Sequence, residues 1–104
     1  MAITPTSGEF ITLEEAKTFV FDFRKKYPDS IKGYFAGCEK VGAILAQEGC
    51  IGIRMYNGYD CVDDKTNLVI VGVNTAERDM TDGLILERTI ACPSECDHSS
   101  PLCD

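Results

Sequence analysis

The sequence predicts an α+β fold in which two N-terminal helices pack on a three-stranded antiparallel β-meander, in the order α-α-β-β-β. Three observations carry this prediction. A capping-box pattern with apolar residues at helical spacing lies near the N-terminus, an alternating apolar and polar stretch begins at Cys50, and a continuous apolar run follows at residues 68–73. The polar loops between the later segments are short, which favours antiparallel neighbours.

The first helix begins at a capping box, Thr12-Leu13-Glu14-Glu15, in which the Thr12 hydroxyl and the Glu15 carboxylate each bind the other's backbone N–H. Proline disfavours the helical conformation of the residue before it, so the helix should end at Tyr27. Phe19 and Phe23 recur at helical spacing, and we expect both to lie in the core.

A second helix is predicted from Asp29 or Ser30 to Gly49, which would close it in a left-handed turn. Cys38 falls on its apolar stripe and should be a small buried side chain. Gly33 and Gly37 share one face and would allow another element to approach closely.

Three strands are then predicted. Ile51, Ile53 and Met55 alternate with polar or small residues, as in a half-buried strand that ends at an Asn57-Gly58 turn. A polar loop should occupy residues 57–66, the apolar run 68–73 should be the central strand, and a third strand should cover residues 84–91. We expect a single domain over residues 12–91, a flexible arm over 1–11 and a cysteine-rich tail over 92–104.

The chain of 104 residues carries 10 basic and 17 acidic residues, a formal net charge of −7. A nucleic-acid partner is not expected, because phosphate binding needs a basic face. Neither a membrane span nor a signal peptide is visible, so a cytoplasmic protein with mostly reduced thiols is expected.

The C-terminal tail brings three cysteines and the one histidine into twelve residues. Cys92, Cys96, His98 and Cys103 form the right ligand set for a zinc site, although their spacing is unusual for one. A disulfide, either Cys92–Cys96 or one that uses Cys103, is the second hypothesis. Thiol redox chemistry is the third, although the neighbouring acidic residues Glu95 and Asp97 disfavour a thiolate.

Gly52, Arg54 and Tyr56 share the other face of the first strand and could form a shallow interaction surface. The preferred function is therefore non-enzymatic: a small acidic domain that binds a protein partner, or forms a homodimer, through its sheet. No cofactor is expected apart from the possible zinc.

Four sequence motifs occur together in this chain: Cys50-Ile51-Gly52-Ile53-Arg54-Met55-Tyr56-Asn57-Gly58, Leu68-Val69-Ile70-Val71-Gly72-Val73, Asp79-Met80-Thr81-Asp82-Gly83 and Cys92-Pro93-x-x-Cys96. Their combination resembles a family of small uncharacterised proteins of Bacteroidetes-type bacteria. The resemblance covers residues 12–96 and implies no activity. Cys38, Cys61, His98 and Cys103 lie outside the family pattern, which places a family-wide zinc site in doubt.

Overall fold

A computed structural model describes residues 3–87, 89–92 and 96–103. The α+β class is confirmed, with helices α1 and α2 and antiparallel strands β1–β5. The elements are, in chain order, α1 Leu13–Lys26, β1 Gly33–Phe35, α2 Cys38–Leu45, β2 Cys50–Asp60, β3 Lys65–Asn74, β4 Ile85–Leu86 and β5 Ile90–Cys92. In the part of the chain that is described, no helix combines the length and apolar character that a bilayer crossing requires.

Helix α1 begins where the capping box predicts. The Thr12 hydroxyl accepts from Glu15 N at 3.1 Å, and the Glu15 carboxylate accepts from Thr12 N at 3.3 Å. The prediction that Phe19 and Phe23 are core residues is wrong, because their exposed fractions are 64% and 43%. No described residue of α1 is buried, so helical spacing identified an apolar stripe but not a buried one.

The predicted second helix is two elements. Strand β1 lies in its first half, and only Cys38–Leu45 is helical. Glycine weakens a helix, and Tyr34-Phe35 between two glycines suits a strand once a partner is present. That partner is β5, which pairs Tyr34 with Ala91. Cys38 is exposed at the start of α2, so the prediction that it is buried is also wrong.

Strands β2 and β3 form a long antiparallel hairpin, and β4 adds to the other side of β3. The central position of the apolar run is therefore confirmed. The turn lies at residues 61–64 and not at Asn57-Gly58, because Asp60 accepts backbone N–H bonds from Val62 and Asp63 at 2.9 and 3.2 Å. Asn57 stays in the ladder opposite Leu68.

The predicted third strand is also divided, because Ile85–Leu86 pairs with β3 whereas Ile90–Cys92 pairs with β1. Helix α2 packs on β2 and β3. The buried apolar side chains there are Ile44, Ile70, Val71 and Val73. Ile53 is half-buried, but Met55 is 57% exposed, so its predicted place in the core is wrong.

The chain forms two compact units. The first comprises the described parts of residues 1–7 and 36–89, with α2 and the three-stranded sheet. The second comprises the described parts of residues 8–35 and 90–104, with α1 and the β1–β5 ribbon. The second unit contains the three C-terminal cysteines.

Candidate thiol site

Cys92 and Cys96 form a disulfide across a Cα–Cα distance of 4.9 Å. Cys92 is the last residue of β5, where it lies opposite Gly33, and its carbonyl accepts from Lys32 N at 2.6 Å. One end of the disulfide is therefore fixed to a strand pair. Both cysteines are half-buried, so part of the disulfide faces solvent.

Two successive turns return the chain from Cys96 to the disulfide. Ser100 N donates to Asp97 O and Cys103 N donates to Ser100 O, each at 3.0 Å. The Asp97 carboxylate also accepts from the Ser99 hydroxyl at 2.7 Å and from Ser99 N at 3.1 Å. These two bonds lower the pKa of Asp97 below its ordinary value, because they favour the charged carboxylate.

Two cations hold the end of this segment by its backbone. Lys32 Nζ donates to the Cys103 carbonyl at 3.0 Å, and the Arg24 guanidinium donates to the Leu102 carbonyl. Lys32 precedes β1 and Arg24 lies in the last turn of α1, so they are 71 and 78 residues away from their partners in sequence. No pattern in the sequence identified either as part of the site.

The sulfur atoms of Cys92, Cys96 and Cys103 all lie within 4.8 Å of one another. Cys103 is a free thiol and is buried. His98 does not belong to this group and is exposed. The structure thus brings together three of the four residues predicted as metal ligands. Glu95, which was expected to disfavour a thiolate, lies outside the described residues.

A groove of about 320 Å³ opens beside the three sulfur atoms. Val20, Phe35 and Ile90 give it apolar walls, and the cysteines and Lys32 contribute its polar part. Phe35 and Ile90 are exposed, so the groove is open to a peptide from solvent. Such a surface can hold an extended apolar peptide next to a disulfide.

The predicted interaction surface on β2 has a different arrangement. Arg54 Nη1 lies 2.5 Å from Asp79 Oδ1, and the Tyr56 hydroxyl donates to the other oxygen of the same carboxylate. Tyr56 and then Arg54 lower the pKa of Asp79, and Asp79 raises that of Arg54. Gly52 has open space above it. The surface is therefore built around Asp79, which the sequence analysis did not place there.

The remaining cysteines lie apart from the cluster. Cys38 and Cys61 are exposed free thiols, and half-buried Cys50 donates through its thiol to the Gly52 carbonyl at 3.2 Å. Among the residues described, the three C-terminal cysteines are the only group of three or more potential metal ligands close enough to share an ion. The cluster is accordingly the strongest candidate site.

No family model, curated protein or solved structure matches the chain. The chemistry of the site is therefore inferred from its own residues.

Proposed function

We propose that the protein carries out thiol–disulfide exchange, with the Cys92–Cys96 pair as the redox-active couple and a protein or peptide thiol as its substrate. The observation that supports this proposal is the placement of a half-exposed disulfide in an open apolar groove, next to a third thiol. In a cytosolic setting, disulfides are usually catalytic or redox-sensing and not structural.

The exchange balances with a dithiol substrate. A substrate thiolate attacks one sulfur of the disulfide, forms a mixed disulfide and releases the other cysteine as a thiolate. The second substrate thiol loses its proton and displaces the bound cysteine. The substrate leaves as a disulfide, and Cys92 and Cys96 are reduced by the same electron pair and take up the two protons. The reverse direction reduces a substrate disulfide.

The size of the disulfide loop also favours a chemical role. Cys92 and Cys96 are four residues apart, and the chain-entropy model gives so short a loop only about 2 kcal/mol of stabilisation. A loop of about 100 residues would give about 4.7 kcal/mol. The disulfide therefore contributes little to holding the fold, and we expect reduction to leave the rest of the chain folded.

The test is reduction of insulin by the full chain with dithiothreitol as electron source. We expect a rate well above that of dithiothreitol alone. The Cys92→Ser/Cys96→Ser double variant should lose the increase, because it lacks both halves of the couple. Cys61→Ser is the matched control, since it removes an exposed free thiol outside the cluster. A wild-type rate equal to the background, or full activity in the double variant, contradicts the proposal.

Zinc binding by the reduced cluster is the second candidate. Zn–S bonds of about 2.3 Å in a tetrahedron place sulfur atoms about 3.8 Å apart. Three sulfur atoms within 4.8 Å of one another are thus close to the required geometry once the disulfide is reduced. Cys92, Cys96 and Cys103 would supply three ligands, and His98 or water the fourth.

Cobalt(II) titration of the reduced protein tests this candidate. Thiolate coordination gives intense charge-transfer absorption that grows with the number of sulfur ligands. We expect one equivalent to bind in the wild type and a weaker band in Cys103→Ser, with Cys61→Ser unchanged. Absence of the band in the wild type, or an equal band in Cys103→Ser, contradicts a three-thiol site.

The interaction role preferred on sequence grounds stays a prediction. It is supported by the position of β2 at the edge of its sheet and by the exposure of Met55 and Tyr59 along it. Exchange with a protein substrate through the groove is compatible with such a role.

A further inference from the structure

Cys103 differs from the two disulfide cysteines in accessibility. Its side chain is 7% exposed, whereas Cys92 and Cys96 are half-buried. An external thiol therefore reaches the disulfide more readily than it reaches Cys103. Cys103 itself has both disulfide sulfur atoms within 4.8 Å and needs only a small movement to approach either one.

We infer that Cys103 is an internal exchange partner, so that the cluster moves one disulfide among three cysteines. This inference deepens the proposed function, because it names the residue that regenerates a reactive thiol in the same site. It needs neither an oxidant nor a reductant, since one disulfide and one thiol exist before and after the step.

The exchange can begin with attack at Cys96. Cys103 loses its proton to solvent, its thiolate attacks the Cys96 sulfur, and a Cys96–Cys103 bond forms as the Cys92–Cys96 bond breaks. Cys92 leaves as a thiolate and takes up a proton from solvent. Attack at Cys92 releases Cys96 in the same way. Nothing is oxidised or reduced overall.

The groups around Cys103 suit this role. Its backbone is held by the turn from Ser100 and by Lys32 Nζ, so the thiol stays beside the disulfide although Cys103 is not itself disulfide-bonded. The ammonium group of Lys32 also places positive charge close to the cluster, opposite in sign to the Asp97 carboxylate that lines the same groove. Positive charge stabilises the negative charge that passes between the sulfur atoms during exchange.

The consequence is a more accessible thiol in the groove of the oxidised protein. After migration, the free cysteine is Cys92 or Cys96, and both are more exposed than Cys103, although all three line the groove. That thiolate can attack a substrate disulfide, form a mixed disulfide and release one substrate thiolate. The oxidised chain could thus rearrange substrate disulfides, whereas a simple two-cysteine couple in its oxidised form has no such nucleophile.

The direct experiment uses the wild-type full chain, oxidised at the cluster. The protein is treated with iodoacetamide near neutral pH, quenched with acid, and its C-terminal peptide is fragmented to locate the label and the disulfide. Label on Cys92 or Cys96, with a disulfide that contains Cys103, is expected. Label confined to Cys103, or no label in the cluster, overturns the inference.

Dilution separates internal from intermolecular exchange. The labelling rate at Cys92 and Cys96 should not depend on protein concentration, and it should be the same in a Cys38→Ser/Cys61→Ser double variant, which lacks both exposed free thiols outside the cluster. A rate proportional to protein concentration overturns the inference.

A second variant tests the pairing itself. In a glutathione redox buffer, Cys92→Ser should form a Cys96–Cys103 disulfide, because the remaining two sulfur atoms stay close. Two free thiols, or glutathione bound to Cys96 with no internal disulfide, would contradict the inference. If the disulfide migrates as described but the protein does not accelerate insulin reduction, the proposed function is contradicted and the inference about Cys103 is not.

Discussion

At the residue scale, the reactivity proposed for Cys103 comes from where its backbone is held. Its thiol is free of any disulfide bond. Its backbone N–H donates to the Ser100 carbonyl, and its carbonyl accepts from Lys32 Nζ. A buried side chain on a fixed backbone cannot move far from the disulfide. Position, more than the sulfur itself, therefore distinguishes Cys103 from the exposed thiols of Cys38 and Cys61.

Asp79 gives a prediction about acid stability. Hydrogen bonds from Tyr56 and then Arg54 lower the pKa of Asp79 below its ordinary 3.8 in the folded protein. The stability that this carboxylate contributes is therefore complete above the unfolded-state pKa, and it is lost as the pH falls through the folded-state pKa. Asp79→Asn should destabilise the protein near neutral pH, with a difference from wild type that shrinks in acid.

Denaturant unfolding at a series of pH values from about 6 to about 2.5 measures this difference. Asp82→Asn is the matched control, because Asp82 is an exposed carboxylate in the same connection between β3 and β4. An Asp79→Asn difference that stays constant over this range, or an equal effect of Asp82→Asn, would rule out the assigned role of the ion pair.

At the element scale, two glycines of the first unit should respond to alanine in opposite directions. Gly42 lies within α2 with nothing near a Cβ atom, so Gly42→Ala should stabilise the protein by about 0.5–1 kcal/mol. A Cβ on Gly72 would lie 3.1 Å from Cys50 Sγ and 3.2 Å from Met80 Sδ. Gly72→Ala should destabilise by about 1–3 kcal/mol.

Each variant serves as the control for the other, since both make the same chemical change. Chemical unfolding monitored by circular dichroism gives the two free energies. Equal effects of the same sign would contradict the difference in space described around Gly42 and Gly72.

The same elements show which local structure the sequence could predict. The start of α1 depends on Thr12 and Glu15, which are three residues apart, so the pattern was sufficient. Strand β1 depends on pairing between Gly33 and Cys92, and no local pattern contains that information. The hairpin turn was missed because Asn57-Gly58 is a strong turn signal, whereas the carboxylate of Asp60 fixes the turn further along.

At the scale of the whole molecule, self-association through the sheet is a separate prediction. Met55 and Tyr59 are exposed on β2, which is one of the two edge strands of the three-stranded sheet. If two copies pair there, Met55→Lys and Tyr59→Lys should weaken a concentration-dependent dimer, because charge on an edge strand opposes pairing. Sedimentation equilibrium measures the dissociation constant of the dimer, with Val62→Lys in the exposed turn as control. A wild-type monomer at every concentration would contradict this prediction.

The candidate site was only partly predictable for the same reason as the fold. Cys92 and Cys96 are close in sequence, so their disulfide was among the hypotheses. Placing Cys103 beside them requires the turns at residues 97–103 and the distant cations Arg24 and Lys32. His98 was grouped with the cysteines because it is near them in sequence, but its side chain is not part of the cluster.

The redox potential of the Cys92–Cys96 couple tests thiol–disulfide exchange most directly. The full chain is equilibrated in glutathione buffers of graded ratio, quenched in acid and analysed by mass spectrometry for the fraction oxidised. If thiol–disulfide exchange is the function, the midpoint potential should lie above about −300 mV, so that the oxidised and reduced forms coexist in glutathione buffers. The circular dichroism spectrum should not change on reduction. A disulfide that stays fully oxidised in every glutathione buffer, or whose reduction unfolds the chain, is a structural bond and would contradict the proposed function.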